Sequence, residues 1–336
     1  METYLTAQKR KEEYNSTLYG AKLSLDFELP QFTYFNSFSA YFNVESARFV
    51  FQGPYLRKLS SIYYQRNGYS LGDADSLAAI TVDELGGTLS TSSVNALIGL
   101  SFGTNKTNDL FFPTEGYTLL FQIEDANSIP YLIKKLFGSD FVHPLFFKTT
   151  FSSSFYFPFY NSSVNAFAGK FKIGNILTYR GDKADIPLNQ RLYAGGSNSV
   201  RGWGTRELVP SNELITLNDV NADEIEAFLA KGAPTGGFFL MEGSFESRNR
   251  LIGKFGSAIF LDYGNTWNSM KEFRFDEIAV AAGIGFRYYS DFAPIRIDFG
   301  IKVYDPVEKR ITFGRDFWPN FWGKILQFHI GIGEAY

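Results

Sequence analysis

The stretch Ile295-Arg296-Ile297-Asp298-Phe299-Gly300-Ile301-Lys302-Val303-Tyr304 alternates without a break. Ile295, Ile297, Phe299, Ile301 and Val303 point one way; Arg296, Asp298, Gly300, Lys302 and Tyr304 point the other. Arg, Asp and Lys are almost never buried unpaired, so only one of these faces suits a dry environment. One such strand fits a soluble β-sandwich as well as a membrane wall.

The pattern recurs along the chain. In 18–29, Tyr19, Ala21, Leu23, Leu25, Phe27 and Leu29 alternate with Lys22, Ser24, Asp26 and Glu28. In 279–289, Val280, Ala282, Ile284, Phe286 and Tyr288 alternate with Gly283, Gly285 and Arg287. Segments 166–174 and 145–157 behave alike, with Phe147, Phe151, Phe155 and Phe157 sharing a face with Thr149 and Ser153. Many strands that are apolar outside and polar or Gly inside are what a lipid-facing barrel requires. The expected fold is therefore all-β, an antiparallel transmembrane β-barrel with long loops at one end.

Composition agrees. Aromatic residues form 18 % of the 336, with Phe 36 and Tyr 20, while Cys is absent and the net charge is −3. A basic face for nucleic acid is not indicated, and a disulfide framework or thiolate metal site is excluded. No run of about 18 apolar residues marks a membrane-spanning helix. Residues 1–15 are polar and lack the apolar core of a signal peptide. They are read as a segment preceding the barrel, which occupies 16–336.

Eleven strands are expected, near 18–29, 36–50, 93–104, 115–125, 145–158, 164–179, 236–248, 253–264, 278–289, 294–304 and 324–336. The links between them alternate short and long, with long ones at 51–92, 126–144, 180–235, 265–277 and 305–323. Short periplasmic turns and long outer loops are the transmembrane-barrel habit. Short helices are expected from Ile129-Pro130 to a stop at Gly138, and over Asp223–Lys231 before Gly232, both as loop ornaments. The segments Leu59–Tyr64 and Leu77–Leu85 are candidates for a further hairpin inside the first long loop.

The longest loop holds Leu192-Tyr193-Ala194-Gly195-Gly196-Ser197-Asn198-Ser199-Val200-Arg201-Gly202-Trp203. Gly195, Gly196, Val200, Arg201, Gly202 and Trp203 match a motif of the Omp85 superfamily, G-G-x-x-x-[VI]-R-G-aromatic, and the chain resembles that family. Trp203 stands where Phe or Tyr is commoner. Phe112-Pro113-Thr114-Glu115-Gly116 resembles the family's turn into the next strand. Glu242-Gly243-Ser244-Phe245-Glu246-Ser247-Arg248 and Phe260-Leu261-Asp262-Tyr263-Gly264 resemble the two strands that follow the loop.

The resemblance implies a sixteen-stranded outer-membrane barrel preceded by periplasmic POTRA domains, with loop 180–235 folded into the lumen. Parity alone sends Asp262, Glu246, Phe260 and Gly264 inward, where the resemblance places Arg201. The implied pairing is Arg201 with Asp262, and Glu246 as a second acceptor, in an architectural rather than catalytic role. A plain lumen charge and a plain Gly-Gly turn are the alternatives that the residues alone leave open.

No catalytic constellation is present. His143 and His329 lack metal-ligand spacing, no G-x-S-x-G occurs, and neither cofactor nor metal is implied. His329 shares the inward parity of Gln327 and is read as a satisfied lumen residue. The last strand forms a seam, with Phe328 and Tyr336 outward, Gly331 and Gly333 inward, and Glu334 on the outer face near the interface. Eleven strands is an odd number, so the chain reads as a fragment lacking the early strands, one that would not close on itself.

By resemblance, the function expected is insertion and assembly of outer-membrane proteins, as in the BamA and TamA kind. The implied partners are unfolded β-barrel clients, the lipid bilayer, and accessory lipoproteins or periplasmic factors. A two-partner-type secretion pore, or the barrel anchor of a patatin-like phospholipase, are the alternatives.

Overall fold

A computed structural model describes residues 2–10, 14–30, 34–66, 69–110, 112–138, 143–159, 162, 164–210, 236–290, 293–306, 309–312, 322 and 325–335. The expected helix Asp223–Lys231 and the seam residue Tyr336 lie outside these. The described strands are β1 (Glu2–Arg10), β2 (Tyr14–Glu28), β3 (Ser37–Gln52), β4 (Thr88–Asn105), β5 (Gly116–Ala126), β6 (Leu145–Pro158), β7 (Ala166–Arg180), β8 (Phe239–Arg250), β9 (Phe255–Trp267), β10 (Ala279–Tyr289), β11 (Pro294–Asp305), β12 (Arg310–Ile311) and β13 (Leu326–Ile332). They form one antiparallel meander in chain order, except that β13 pairs with β11 beside the two-residue β12.

All eleven expected strands are present, and β1 is an addition. Residues 2–10 pair with β2 through nine registered positions from Glu2↔Lys22 to Arg10↔Tyr14. The polar N-terminal segment is thus wall, contrary to the expectation. Its pattern is faint because few side chains commit it: Leu5 faces outward, while the Tyr4 hydroxyl reaches inward to Asn43 (3.1 Å) and Glu45 (2.9 Å). With β12 set aside, twelve long strands remain. The even number removes the parity problem, because β1 now starts at the end of the sheet where β13 finishes.

Among its described residues the first long loop holds no hairpin of strands. It forms two helices, α1 (Gly53–Arg66) and α2 (Leu71–Glu84), the second capped where the Ser70 hydroxyl accepts the Asp73 N–H. Leu56 and Val82 are buried with Tyr14, Phe49 and Phe51 of the inner wall, so the helix pair seals against the inside of β2 and β3. Alternation over six residues is outvoted by a continuous helical surface that meets this aromatic cluster. The expected helix at Ile129-Pro130 is present as α3 (Ser128–Leu136), and Gly138 follows it at φ +67°.

The outer face carries Leu23, Leu25, Phe27, Phe42, Val44, Ile98, Leu100, Phe155, Leu177, Phe245, Ile259, Ile284, Phe286, Phe328 and Ile330, all exposed. Near the short-turn end an aromatic row runs across strands, Phe27 to Phe38 (5.9 Å between rings), Phe38 to Phe102 (4.9 Å) and Phe102 to Phe121 (6.5 Å). Toward the long-loop end the registered trio Thr17, Arg48 and Ser92 is exposed and polar, so β2–β4 run on past the apolar band. The inner face holds the core instead. Leu97, Ala126, Phe146 and Ile176 of the wall pack on Ile186, Leu192, Val200, Trp203 and Leu208 of the loop between β7 and β8.

The sheet curls back on itself. Phe112, in the turn between β4 and β5, sits 4.8 Å from the ring of Tyr289 at the end of β10, and the Arg250 guanidinium stacks 4.1 Å from the Tyr289 ring. Among the described residues β1 pairs only with β2, and β13 only with β11 and not with β1.

Candidate functional site

The loop after β7 turns inward through short 3-10 turns at Lys183–Asp185 and Leu188–Gln190. Glu45, buried on β3, accepts the side-chain amides of Asn189 and Gln190, the latter at 2.8 Å. Further along the loop the Arg206 guanidinium donates to the hydroxyl of Tyr14, on the neighbouring β2, at 2.8 Å. Both of these contacts tie the loop to β2–β3, while Arg201 between them reaches β8 and β9.

The tip is a tight hairpin. Gly195 and Gly196 have φ of +96° and +109°, and a Cβ on Gly195 would lie 2.6 Å from the carbonyl oxygen of Gly204. Such a backbone favours glycine. The Gly196 N–H donates to the Trp203 carbonyl (3.1 Å), and the Trp203 N–H donates to the Val200 carbonyl (3.1 Å). Val200 and Trp203 are buried in the core, and Lys302 lies 5.0 Å over the Trp203 ring. The aromatic requirement at 203 is thus one of filling and of holding a lysine, which Trp meets.

This hairpin presents Arg201 to the wall. Its Nε donates to Asp262 Oδ2 at 2.8 Å, Nη2 to Asp262 Oδ1 at 2.8 Å, and its backbone N–H to Oδ2 at 3.0 Å. Nη1 donates to Glu246 Oε2 at 3.1 Å and stands 3.6 Å from Asp298. The guanidinium sits over the Phe260 ring, 3.4 Å from its centre. Fork-on-carboxylate pairing fixes orientation as well as charge, and the ring face adds a cation–π contact.

Three more arginines complete the cluster. Arg287 donates to Glu246 (2.9 Å), Asp298 (2.7 Å) and Glu334 (3.0 Å). Arg248 stands 3.4 Å from Glu246 and 3.8 Å from Glu334, and Arg296 3.8 Å from Asp298. Four arginines (201, 248, 287 and 296) face four carboxylates (246, 262, 298 and 334), and all eight side chains are buried from solvent. Charges this deep are tolerated only when each has counter-charges and hydrogen bonds.

Glycines make the room. A Cβ on Gly300 would sit 2.2 Å from the Arg201 carbonyl oxygen, and one on Gly202 2.8 Å from the Ala281 side chain. Gly264 runs against Glu242 on the neighbouring strand, where a Cβ would come within 2.6 Å of the Glu242 Cβ. His329 donates from Nε2 to the Arg201 carbonyl at 3.0 Å, the satisfied lumen role read from its parity.

One seam residue takes another part than the alternation gives it. Glu334 turns inward to Arg287 rather than outward, because β13 stops at Ile332 and Gly333, at φ +84°, reverses the parity. Gly331 leaves space for Arg296, whose Nε would be 2.6 Å from a Cβ there. Phe328 is outward as expected, its ring 5.3 Å from that of Phe299. Among the described residues no three His, Asp or Glu side chains converge as a metal site would require.

The sequence joins Arg201 to Asp262, Glu246 and Phe260, and the structure brings all four together. Asp298, Arg287, Arg296, Ser244 and Glu334 are members of the cluster that sequence reasoning misses. Inward parity is visible for Asp298, Arg296 and Arg287, but parity does not give height along the lumen. The Glu45 contact with Gln190 has no sequence signal.

A curled antiparallel sheet, apolar outside, with an arginine-bearing hairpin folded against its inner wall, defines an outer-membrane-type barrel protein with a lumenal loop. The sequence model of the Omp85 superfamily domain matches residues 2–336, and the chain belongs to that superfamily. Its members of the BamA and secretion-pore kind assemble or transport proteins and are not enzymes. Among solved structures the chain is similar to BamA from Haemophilus ducreyi lacking POTRA domains 1–3, at 16 % identity and a TM-score of 0.58. That match covers 98 % of this chain and 56 % of the other, so the chain spans little more than half the length of the relative. CdiB from Acinetobacter baumannii matches at 12 % identity and a TM-score of 0.45, over 95 % of this chain and 42 % of the other.

Proposed function

We propose that the chain is the membrane part of an outer-membrane assembly factor that inserts β-barrel clients through the edge of its last strand. The observation that carries this reading is the state of β13. It pairs with β11 over seven residues, Leu326–Ile332, against twelve in β11, and has no partner on its other side among the described residues. Backbone groups left unpaired in hydrocarbon cost several kcal/mol each, so such an edge favours any strand that adds to it. The arginine cluster supports the reading, since it ties Glu334, just past the edge strand, and His329 within it, to the lumenal hairpin. In this role the protein resides in the bacterial outer membrane, with unfolded barrel proteins as clients and lipoproteins or periplasmic factors as helpers.

The test is quantitative proteomics of the outer membrane after depletion of the full-length gene product. A broad fall in unrelated β-barrel proteins is the expected result. Loss of one secreted protein alone would assign a dedicated secretion pore instead, and no loss in either class would leave the barrel as an anchor for other domains.

A further inference from the structure

Helix α3 carries an apolar side that is largely exposed among the described residues. It begins at Asn127, which is buried, left-handed at φ +69°, and bonded through its backbone N–H and both side-chain polar atoms. The Asn127 N–H donates to the Ala96 carbonyl (2.7 Å), and its Oδ1 accepts the Ala96 N–H (3.0 Å). Its Nδ2 donates to Asn95 Oδ1 (3.1 Å) and to the Pro144 carbonyl (3.0 Å). A root bonded this fully to β4 fixes the direction in which the helix leaves the wall.

One flank of the helix is fastened to the outward face of the sheet. The Ser128 hydroxyl meets the Tyr179 hydroxyl, which also donates to Asp125 at 2.7 Å. The Arg180 guanidinium stacks 4.5 Å from the Tyr131 ring and donates to its hydroxyl. Tyr179 in turn packs on Phe147, with 5.0 Å between rings, so this flank sits in the outer aromatic rim at the long-loop end.

The other flank is apolar and, among the described residues, largely exposed. Ile129, Leu132, Ile133 and Leu136 fall at helical spacing on one stripe, and Phe137 continues it. Leu132 is 56 % exposed, Leu136 83 % and Phe137 82 %, and no residue of the helix is buried. Lys134 and Lys135 occupy the last turn on the face opposite the stripe, Lys135 lying 6.0 Å over the Tyr131 ring. The fastened flank reaches the wall at Tyr179, which packs on Phe147, and Phe147 and its registered partner Leu177 are both exposed on the face that the fold turns to lipid.

We propose that α3 is an in-plane membrane anchor. It lays Leu132, Ile133, Leu136 and Phe137 into the outer edge of the bilayer and sets Lys134 and Lys135 among anionic lipid phosphates. A short helix with one apolar stripe and lysines on the opposite face has the form of an interfacial helix. Its rim position makes the surface continuous with the lipid-facing wall, and its positive charge matches phosphate headgroups. The proposal concerns only the outside of the barrel and stands whether the protein assembles clients or secretes one.

The chain contains no cysteine, so single labels are simple to place. Leu136→Cys, Lys135→Cys and, as a lipid-facing reference on the wall, Leu177→Cys are each labelled with an environment-sensitive fluorophore. The full-length protein is reconstituted in phosphatidylethanolamine vesicles containing phosphatidylglycerol. The label at 136 is expected to resemble that at 177, quenched by spin-labelled lipid and shielded several-fold from acrylamide relative to the label at 135. Adding Lys134→Glu and Lys135→Glu to the Leu136→Cys variant is expected to lift that shielding. Equal acrylamide access at 136 and 135, while 177 stays shielded, would overturn the anchor. Unchanged shielding in the charge-reversed variant would overturn the assignment to anionic headgroups.

Discussion

Arg201 and Asp262 meet through three hydrogen bonds, two from the guanidinium fork and one from the backbone N–H of Arg201 itself. The third matters mechanically. An ion pair of side chains alone tolerates sliding, whereas a backbone donor to the same carboxylate fixes the hairpin's main chain against β9. Asp262 therefore holds the loop, and Arg201 holds the carboxylates around it.

Replacing Arg201 by Glu is expected to lower the heat-resistant folded fraction on semi-native gels sharply. It leaves Asp262, Glu246 and Asp298 facing a fourth negative charge, and breaking one buried pair costs about 3–5 kcal/mol. Adding Asp262→Arg is expected to restore part of the fraction, because the new pair is reversed while Glu246 and Asp298 still oppose the carboxylate introduced on the hairpin. Arg201→Lys keeps the charge and loses the fork, so it should fall between wild type and Arg201→Glu. Strictly additive damage in the double variant would show that the two side chains are not partners.

The lumen tolerates the loop only because particular wall positions lack a side chain. Gly300→Ala places a Cβ 2.2 Å from the Arg201 carbonyl, a backbone atom that cannot swing away. The hairpin should lift from the wall, seen as faster limited proteolysis within loop 180–235. Gly72→Ala is the matched control, since a Cβ there meets nothing within 4 Å and the residue lies in α2. It should leave cleavage unchanged and add about 0.5–1 kcal/mol to the stability of the helix pair.

What is legible in the sequence follows from how each feature is encoded. Strands declare themselves by alternation, so β2–β11 and β13 are readable, whereas β1 is lost because only Leu5, Ala7 and Tyr4 carry its pattern. Arg201, Asp262 and Glu246 are readable because motif and parity agree on them. Asp298 and Arg287 have parity alone, and their meeting depends on strand stagger, which no local pattern records. Glu334 is misassigned by alternation because its direction is set by the positive φ of Gly333, a conformational event outside that rule. The helices α1 and α2 escape notice because their apolar residues serve a tertiary surface, the Tyr14–Phe51 cluster of the paired strands β2 and β3 with Leu188 of the lumenal loop, that no local pattern records.

Glu334 ties the seam to the cluster through Arg287 at 3.0 Å and Arg248 at 3.8 Å. Glu334→Gln removes the charge at nearly the same shape. Hydrogen exchange of the Leu326–Ile332 amides is expected to quicken several-fold while β8–β10 hold their protection, since the neighbouring strands keep both partners. Uniform quickening across β8–β13 would place Glu334 in the global fold rather than at the edge.

Asn108 pins the C-terminal side of the turn between β4 and β5, as Asn105 and Asp109 hold its other parts. Its Oδ1 accepts the backbone N–H groups of Thr114 (3.0 Å) and Glu115 (3.1 Å), and its Nδ2 donates to the Thr114 hydroxyl at 2.8 Å. Gly116 completes the turn at φ +106°, where a Cβ would lie 2.0 Å from the Lys106 carbonyl oxygen. Asn108→Ala orphans those donors, of which the Thr114 side is buried, at a cost of about 1–3 kcal/mol. Because the neighbouring Phe112 clasps Tyr289 across the curl of the sheet, the loss should reach beyond the turn. Urea unfolding of the reconstituted protein should shift to lower concentration in Asn108→Ala. Phe112→Ala should shift it the same way, and the double variant should fall short of the sum, since both act through the one turn. Full additivity would mean that the turn and the clasp are independent, and that Asn108 shapes only its own loop.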